Sequence, residues 1–571
     1  MPACYKKEIY LNLILLLFSG FSLFSQISVE RGPYLQELTD TSVIVCWRTS
    51  QSTDSRVYYD LLLGGQSDSV SELSQKVEHK LKLSGLSPNT LYYYSVANAN
   101  KQLTQSHQNY RFKTAPDPGS EQNIRVWAIG DFGKGNTEQG LVRDAYLDYT
   151  DTIHTDVWLW LGDNAYQSGT DQEYQDNVFD SSNAYGEIMP YMPFMPSPGN
   201  HDYLSVSPPN PTSSIDPNNH SGPYFDIVDL PTNGEGGGFP SGTELYYSFD
   251  YANVHFVSIN SEIGSINLLK SSHDWIGTLP YFNPLASSFT SSPFTDWLHN
   301  DLQQNEQRWT IAYFHQPPYT DGSHSTETFY EVFMKAMREN IVPILEQYNV
   351  DLVLSGHSHV YERSYLIKGH YDDADTFDPN TMIIDGNSGY ENLNEAYVKD
   401  LSKPDGEEGT VYIVCGNSAS KKDNPGLQYP AMYYGFGCDT CCGSVVLDIN
   451  GTRLDGSFIT MGGRVLDEFT IHKQDSVSIV EEDEIIQSFD CYPNPFSEEI
   501  FINLKLKEKT KLRLELLNIK GQKIKTLFNG VQKGNDCSFV FNKKIKGLPS
   551  GNYILSLKMT DRQHIMKIIK L

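Results

Sequence analysis

The rhythm of hydrophobic and polar positions changes several times along the chain. Residues 28–115 carry short alternating runs, "TSVIVCWRTS", "SRVYYD", "HKLKLSGLSPNTLYYYSVAN" and "NYRFKTAP", bounded by Gly, Pro, Ser and Asn. A period of two predicts half-buried strands, and several in succession predict a small β-sandwich with Trp47 in its core. "APDPGSEQ" (115–122) reads as a linker. From 124 to 472, apolar runs alternate with helical stretches such as "TEQGLVRDAYLDYTDTI" and "ETFYEVFMKAMRENIVPILEQYN", the pattern of an α/β domain. Residues 203–292 form a Pro-, Ser- and Asn-rich insertion that holds the strand-like "LYYSFDYANVHFVSINSE". An acidic linker (473–487) precedes residues 488–571, where about seven short strands predict a second small β-sandwich. The expected fold is multidomain: β-sandwich, α/β sandwich, β-sandwich.

The chain begins with an exception to these rhythms. In "YKKEIYLNLILLLFSGFSLFSQ" two lysines precede about fifteen apolar residues and a few small ones, the form of a secretory signal peptide over 1–25. The competing reading is a single membrane anchor. No later segment reaches the ~18 apolar residues of a span, so the mature chain is expected to be exported, with no transmembrane segment. The net charge is −28 over 571 residues, yet Ser497 to Leu571 carries 16 Lys+Arg against 6 Asp+Glu. The rest is therefore strongly acidic, which argues against a nucleic-acid partner. In the basic tail, lysines alternate with apolar residues ("NLKLKEKTKLRLELL"), as on a solvated strand face. Without the signal, seven cysteines remain: Cys46, Cys415, Cys438, Cys441, Cys442, Cys491 and Cys537. "CDTCCGS" lacks the second half of a zinc site. A disulfide is expected in an exported protein, with its pairing open.

The chemistry lies at the ends of the apolar runs. "IRVWAIGDFG" ends at Asp131, and "DVWLWLGDNAY" at Asp163 with Tyr166 three residues on. "YMPFMPSPGNHD" ends at Asn200 and His201, "RWTIAYFHQPPY" at His315, and "VDLVLSGHSH" at His357 and His359. In open α/β sheets ligands gather at the carboxyl ends of strands. A single such terminus would be a capping Asp or a satisfied core His. Five in order make an oxygen and nitrogen donor set suited to two transition metals.

"GDFG…GDNAY…GNHD…H…GHSHVYER" resembles the metallophosphoesterase signature and, within it, the purple acid phosphatase branch. The resemblance covers about 124–472, and residues 28–115 resemble the fibronectin type III-like domain that commonly precedes it. It implies that Asp163 bridges two metals, with Asp131, Tyr166 and His359 completing one site and Asn200, His315 and His357 the other. His201 and His324 would be catalytic groups touching substrate. The fourth block ends in Asp202 where the branch usually has Glu. Generic relatives begin with Asp-x-His, but here Asp131-Phe132-Gly133 lacks that ligand. Tyr166 replaces it if a hard trivalent cation ionises the phenol, whose ordinary pKa is about 10. This implies Fe(III) with a divalent partner (Fe, Zn or Mn).

The implied activity is an acid phosphatase hydrolysing small phosphate monoesters by attack of metal-bound hydroxide. A phosphodiesterase or nucleotidase on the same centre is the alternative, and a non-catalytic surface protein the alternative of another class. No Gly-rich nucleotide loop or Ser-His-Asp arrangement is evident. The tail, with "YPNPFSEEIFINL", "GLPSGNY" and a Lys-rich end, is similar to the type A sorting domain of the type IX secretion system. That similarity implies the type IX machinery as partner, and release or surface attachment in a Gram-negative bacterium. A carbohydrate-binding sandwich is the other reading of the tail.

Overall fold

The computed structural model describes residues 26–571 except 181, 206–220, 263–292, 329–330, 403–406, 421–428, 437–441, 475–485 and short stretches at 494–495, 508, 519–521, 533–534, 543–544, 560–562 and 571. The expected signal peptide, most of the acidic linker, and Cys438 and Cys441 lie outside the described residues, and the disulfide expected around "CDTCC" lies there with them. Cys46 and Cys415 are buried free thiols. The chain divides into two compact units, Met1–Gln474 and Asp475–Leu571.

The first unit opens with a five-stranded sheet of β1 (Val29–Gln36), β2 (Ser42–Asp60), β3 (Asp68–Ser84), β4 (Leu91–Ala97) and β5 (Arg111–Lys113). Its alternating strands turn Leu35, Val43, Val45, Trp47, Val57, Leu83 and Phe112 into a separate core. The Tyr92 hydroxyl accepts the backbone N–H of Ser87 at 3.0 Å, the tyrosine corner legible in "GLSPNTLYYYSV". The opposite face joins the next domain: Tyr34 and Cys46 enter the large core. The Tyr34 hydroxyl donates to Ile227 O at 2.7 Å, and the Tyr94 hydroxyl to Pro190 O at 2.8 Å.

The central domain begins with β6 (Ile124–Ile129), β7 (Val157–Leu161) and β8 (Phe194–Ser197). Next come β9 (Tyr247–Tyr251), β10 (Val254–Ser258), β11 (Trp309–Phe314), β12 (Leu352–Ser355) and β13 (Tyr361–Ser364). A two-stranded pair, β14 (Leu366–Ile367) and β15 (Ile383–Asp385), leads to β16 (Tyr397–Asp400), β17 (Val411–Cys415) and β18 (Met432–Phe436). β19 (Gly443–Asn450), β20 (Arg453–Thr460) and β21 (Val465–Gln474) end the unit. Two seven-stranded sheets result, ordered β18-β13-β17-β12-β11-β10-β9 and β16-β21-β20-β19-β6-β7-β8. They share one core.

Strands β6, β7 and β8 run parallel, as do β10, β11, β12 and β17. Their sequences are unbroken apolar runs because parallel strands are covered on both faces. Trp127 stacks on Tyr146 with centroids 4.1 Å apart, and Trp160 on Phe194 at 3.9 Å. The helix Thr137–Thr150 starts where Asn136 accepts the N–H of Gln139 at 3.0 Å. The expected insertion at 203–292 is corrected in part. Within it, β9 and β10 are integral strands, and β10 pairs in parallel with β11. The Tyr, Phe and Val side chains of these two strands enter the core. β21 runs to Gln474, so Lys473 and Gln474 belong to the strand and not to the linker.

Among the described residues the second unit holds seven strands: β22 (Ile486–Tyr492), β23 (Ile500–Leu506), β24 (Thr510–Leu517), β25 (Lys523–Gln532), β26 (Asn535–Phe541), β27 (Gly551–Lys558) and β28 (Gln563–Lys570). They form three- and four-stranded sheets, β22-β23-β26 and β25-β24-β27-β28, around a core of their own. On β24, Leu512, Leu514 and Leu516 are buried while Lys511 and Arg513 face solvent.

Candidate metal centre

All the strand-end residues gather at the carboxyl ends of the parallel strands. Asp131 lies two residues past β6, Asp163 two past β7, and His357 two past β12; His315 follows β11 directly. Asn200 and His201 open a 3-10 turn after β8. The backbone turns sharply here: Asp131, Asp163 and His357 adopt φ of 55°, 54° and 66°. Non-glycine residues rarely visit this left-handed region, and such strain gathers at functional sites. Gly162, at φ 90°, permits a close approach, since a Cβ there would lie 2.6 Å from His315 Nδ1.

The seven predicted ligands form one continuous cluster. The Tyr166 hydroxyl sits 3.0 Å from Asp131 Oδ1 and 2.9 Å from Asp163 Oδ2. His359 Nε2 lies 3.4 Å from Asp131 Oδ1. On the other side, His315 Nε2 is 3.3 Å from Asp163 Oδ1, 3.2 Å from Asn200 Oδ1 and 3.2 Å from His357 Nδ1. Candidate ligand atoms of Asp163, His315 and His357 all lie within 4.8 Å of one another. His315 Nδ1–H donates to Leu161 O at 3.0 Å, which leaves Nε2 as the donor atom facing the cluster.

The electrostatics fit cations at this place. Burial, then the Asp131 and Asp163 carboxylates, drives the Tyr166 phenol far above its ordinary range. Burial alone would lower His315, but Asp163 and Asp131 outweigh it and raise the imidazole to about 10. Burial alone would raise Asp163, but His315 and His201 hold its carboxyl low. These protons neutralise a set of two carboxylates, one amide, one phenol and three imidazoles, the donor chemistry of hard and borderline transition metals.

A second ring of groups surrounds the cluster. His201 N–H donates to Asp163 Oδ1 at 2.8 Å, and its Nδ1–H to Gln167 O at 2.6 Å. Its Nε2 then lies 3.8 Å from Asp163 Oδ2. His324 stands beside His357, ring centroids 4.2 Å apart, with Nδ1 2.6 Å from Glu331 Oε1. Glu331 went unnoticed in the sequence. Its other oxygen lies 3.3 Å from His357 Nε2, so one carboxylate spans two histidines. Burial opposes its ionisation, but the two imidazoles prevail and bring it to about 2. Lys134 is a second omission, its ammonium 4.5 Å from the Tyr166 ring centre.

Asp202, at the position where Glu was expected, is buried. It accepts the N–H groups of Gly199 (2.8 Å) and Asn164 (3.1 Å) and the Tyr174 hydroxyl (2.6 Å). It ties the turn after β7 to the turn after β8. Burial and the Asp163 charge raise it to about 6.

Comparison with known proteins agrees with this geometry. The family model for calcineurin-like phosphoesterases matches residues 124–361, and that for the purple acid phosphatase N-terminal domain matches 33–114. The model for a secretion system C-terminal sorting domain matches 490–571, a tail that marks a protein for secretion or the cell surface. Purple acid phosphatase 15 of Arabidopsis thaliana is 22% identical over 59% of this chain and 58% of its own length. Probable inactive purple acid phosphatase 1 of the same plant is 26% identical over 50% of this chain and 43% of its own length. The chain thus spans less than two thirds of either relative. The solved structure of purple acid phosphatase PPD1 from yellow lupin (Lupinus luteus) seeds shares the fold, with a TM-score of 0.55, 18% identity, and coverage of 78% of this chain and 75% of that one. Among the described residues no helix is long and apolar enough to cross a membrane. Fold, strand-end residues and domain order converge: over 124–361 the chain is similar to the calcineurin-like phosphoesterases, its fold is that of a purple acid phosphatase, and its end matches a sorting domain.

Proposed function

We propose that this chain is an exported hydrolase of small phosphate monoesters working on a two-metal centre. The observation that carries the reading is the Tyr166 phenol held between Asp131 and Asp163 at the ends of two parallel strands. Asp163 would be shared between the two metals; Asp131, Tyr166 and His359 would hold Fe(III), and Asn200, His315 and His357 a divalent partner (Fe, Zn or Mn). A trivalent cation is the natural means of removing a proton held so tightly. Once bound, the pair supplies an acidified water and positive charge for the phosphoryl oxygens.

The remaining steps belong to side chains. With Nδ1–H committed to Gln167 O, His201 presents Nε2 to the site. Water adds to phosphorus as the P–O bond to the leaving group breaks with its electron pair on oxygen; His201, as the imidazolium, gives its Nε2 proton to that oxygen, and a proton of the attacking water restores it. The products are the alcohol and phosphate. A proton donor of this kind contributes about 10²–10⁴-fold. His324, held through Nδ1 by Glu331, offers Nε2 to a phosphate oxygen, and Lys134 adds a cation at the rim of Tyr166.

Residues 1–25 act as the signal peptide, 28–115 and 124–472 as the fibronectin type III-like and catalytic domains, and 488–571 as the tail read by type IX machinery in a Gram-negative bacterium. Asp163→Asn is expected to lose hydrolysis of monoesters while keeping its melting temperature. Undiminished turnover would contradict the metal reading, and equal turnover of diesters by the wild type would favour the phosphodiesterase.

A further inference from the structure

Beyond the centre itself, we infer that the N-terminal β domain is a positioning element for His201, acting through a relay of hydrogen bonds that crosses the domain boundary. The inference rests on the reading of His201 as proton donor. The relay starts on β2, where Arg48 grips Asp171 with two parallel bonds of 2.7 and 2.8 Å. From β1, Arg31 adds a 2.9 Å ion pair to the same carboxylate and a 3.1 Å bond to Asp171 O. Paired, planar guanidinium contacts of this kind fix direction as well as distance.

Asp171 follows Thr170, the first residue of a capping box. Glu173 N–H donates to the Thr170 hydroxyl at 3.1 Å, while the Glu173 carboxylate accepts Thr170 N–H at 2.9 Å. That carboxylate also takes the backbone N–H of Ser168 at 3.0 Å and that of Gln167. Glu173 thus gathers the N–H groups of Gln167, Ser168 and Thr170 and fixes residues 167–170. The carbonyl of Gln167, at the end of this loop, accepts His201 Nδ1–H at 2.6 Å. With that bond in place the ring has one direction, Nε2 inward, where the imidazolium form presents the proton to be given. The loop is the stretch directly after Tyr166. It is joined to the N-terminal domain at Asp171 and to the catalytic histidine at Gln167.

The test separates orientation of a proton donor from general damage by varying the leaving group. A poor leaving group needs protonation and a good one does not. In the full chain, kcat and KM are measured on glycerol 2-phosphate and on 4-nitrophenyl phosphate for His201→Ala, Glu173→Gln and Arg48→Ala. His201→Ala is expected to lower kcat on the glycerol ester about 10²-fold and on the nitrophenyl ester far less. Glu173→Gln is expected to follow the same pattern at about tenfold and Arg48→Ala at about threefold, with KM and metal content unchanged. Arg48 is partly exposed and Glu173→Gln is isosteric, so the two variants probe the relay from different elements. If His201→Ala is selective but both others depress the two substrates equally, or neither, the relay is overturned alone. If His201→Ala costs both substrates equally, the proton-donor reading falls and takes the relay with it.

Discussion

For individual residues, the chemistry of the centre is a competition between protons and cations. Tyr166 keeps its proton because burial and two carboxylates penalise the phenolate, and His315 keeps an extra one up to about pH 10. Metal loading has to displace both. At pH 7 the metal-free protein should therefore release about two protons per centre on loading, measurable by titration calorimetry in buffers of different ionisation enthalpy. Loading without proton release would mean that Tyr166 and His315 are not ligands. The residues that cluster at the strand ends were legible in the sequence because each follows an apolar strand and most stand beside a glycine. Glu331, Lys134 and Glu173 were not, for a physical reason. Glu331 meets His324 and His357, and Lys134 meets Tyr166, only through tertiary packing of loops, which has no period to read; Glu173 carries a local Thr-x-x-Glu signal, but one that announces a helix start and not a link to the site.

Within elements, parallel strands that read as unbroken apolar runs were identified correctly, and five of them supply the site. β9 and β10 were assigned to an insertion because Pro-, Ser- and Asn-rich stretches flank them; their own alternation placed them in the sheet. β10 carries a buried charge cluster remote from the centre. His255 Nδ1 lies 2.7 Å from Asp250 and its Nε2 2.9 Å from Asp301. Burial opposes protonation, yet the two carboxylates raise the imidazole to about 9. A raised histidine stabilises the fold fully below its ordinary value near 6.5, and this contribution fades as pH climbs through about 9. Thermal stability should accordingly fall across that window, by at most about 3 kcal/mol. His255→Gln should flatten the slope, and an unchanged slope would place its cause elsewhere.

The whole molecule divides between Gln474 and Asp475, and each unit has its own core. A chain ending at Gln474 is expected to fold and keep kcat within about twofold, as read by circular dichroism and turnover, since every predicted ligand precedes the break. A loss of folding would show that the tail is part of the catalytic unit. Domain order and sheet content were legible because composition shifts at the linkers. Disulfide pairing was not, since cysteine spacing carries no geometry, and the buried thiols of Cys46 and Cys415 show how little exported status alone decides.

The central claim is that Tyr166 binds a trivalent iron in a two-metal centre. It is tested most directly by the visible absorption spectrum and metal content of the aerobically purified protein and of Tyr166→Phe. The account predicts a purple or pink charge-transfer band with one iron per chain in the wild type, absent in the variant. A colourless wild type fully loaded with divalent ions, or a band that survives in Tyr166→Phe, would contradict it.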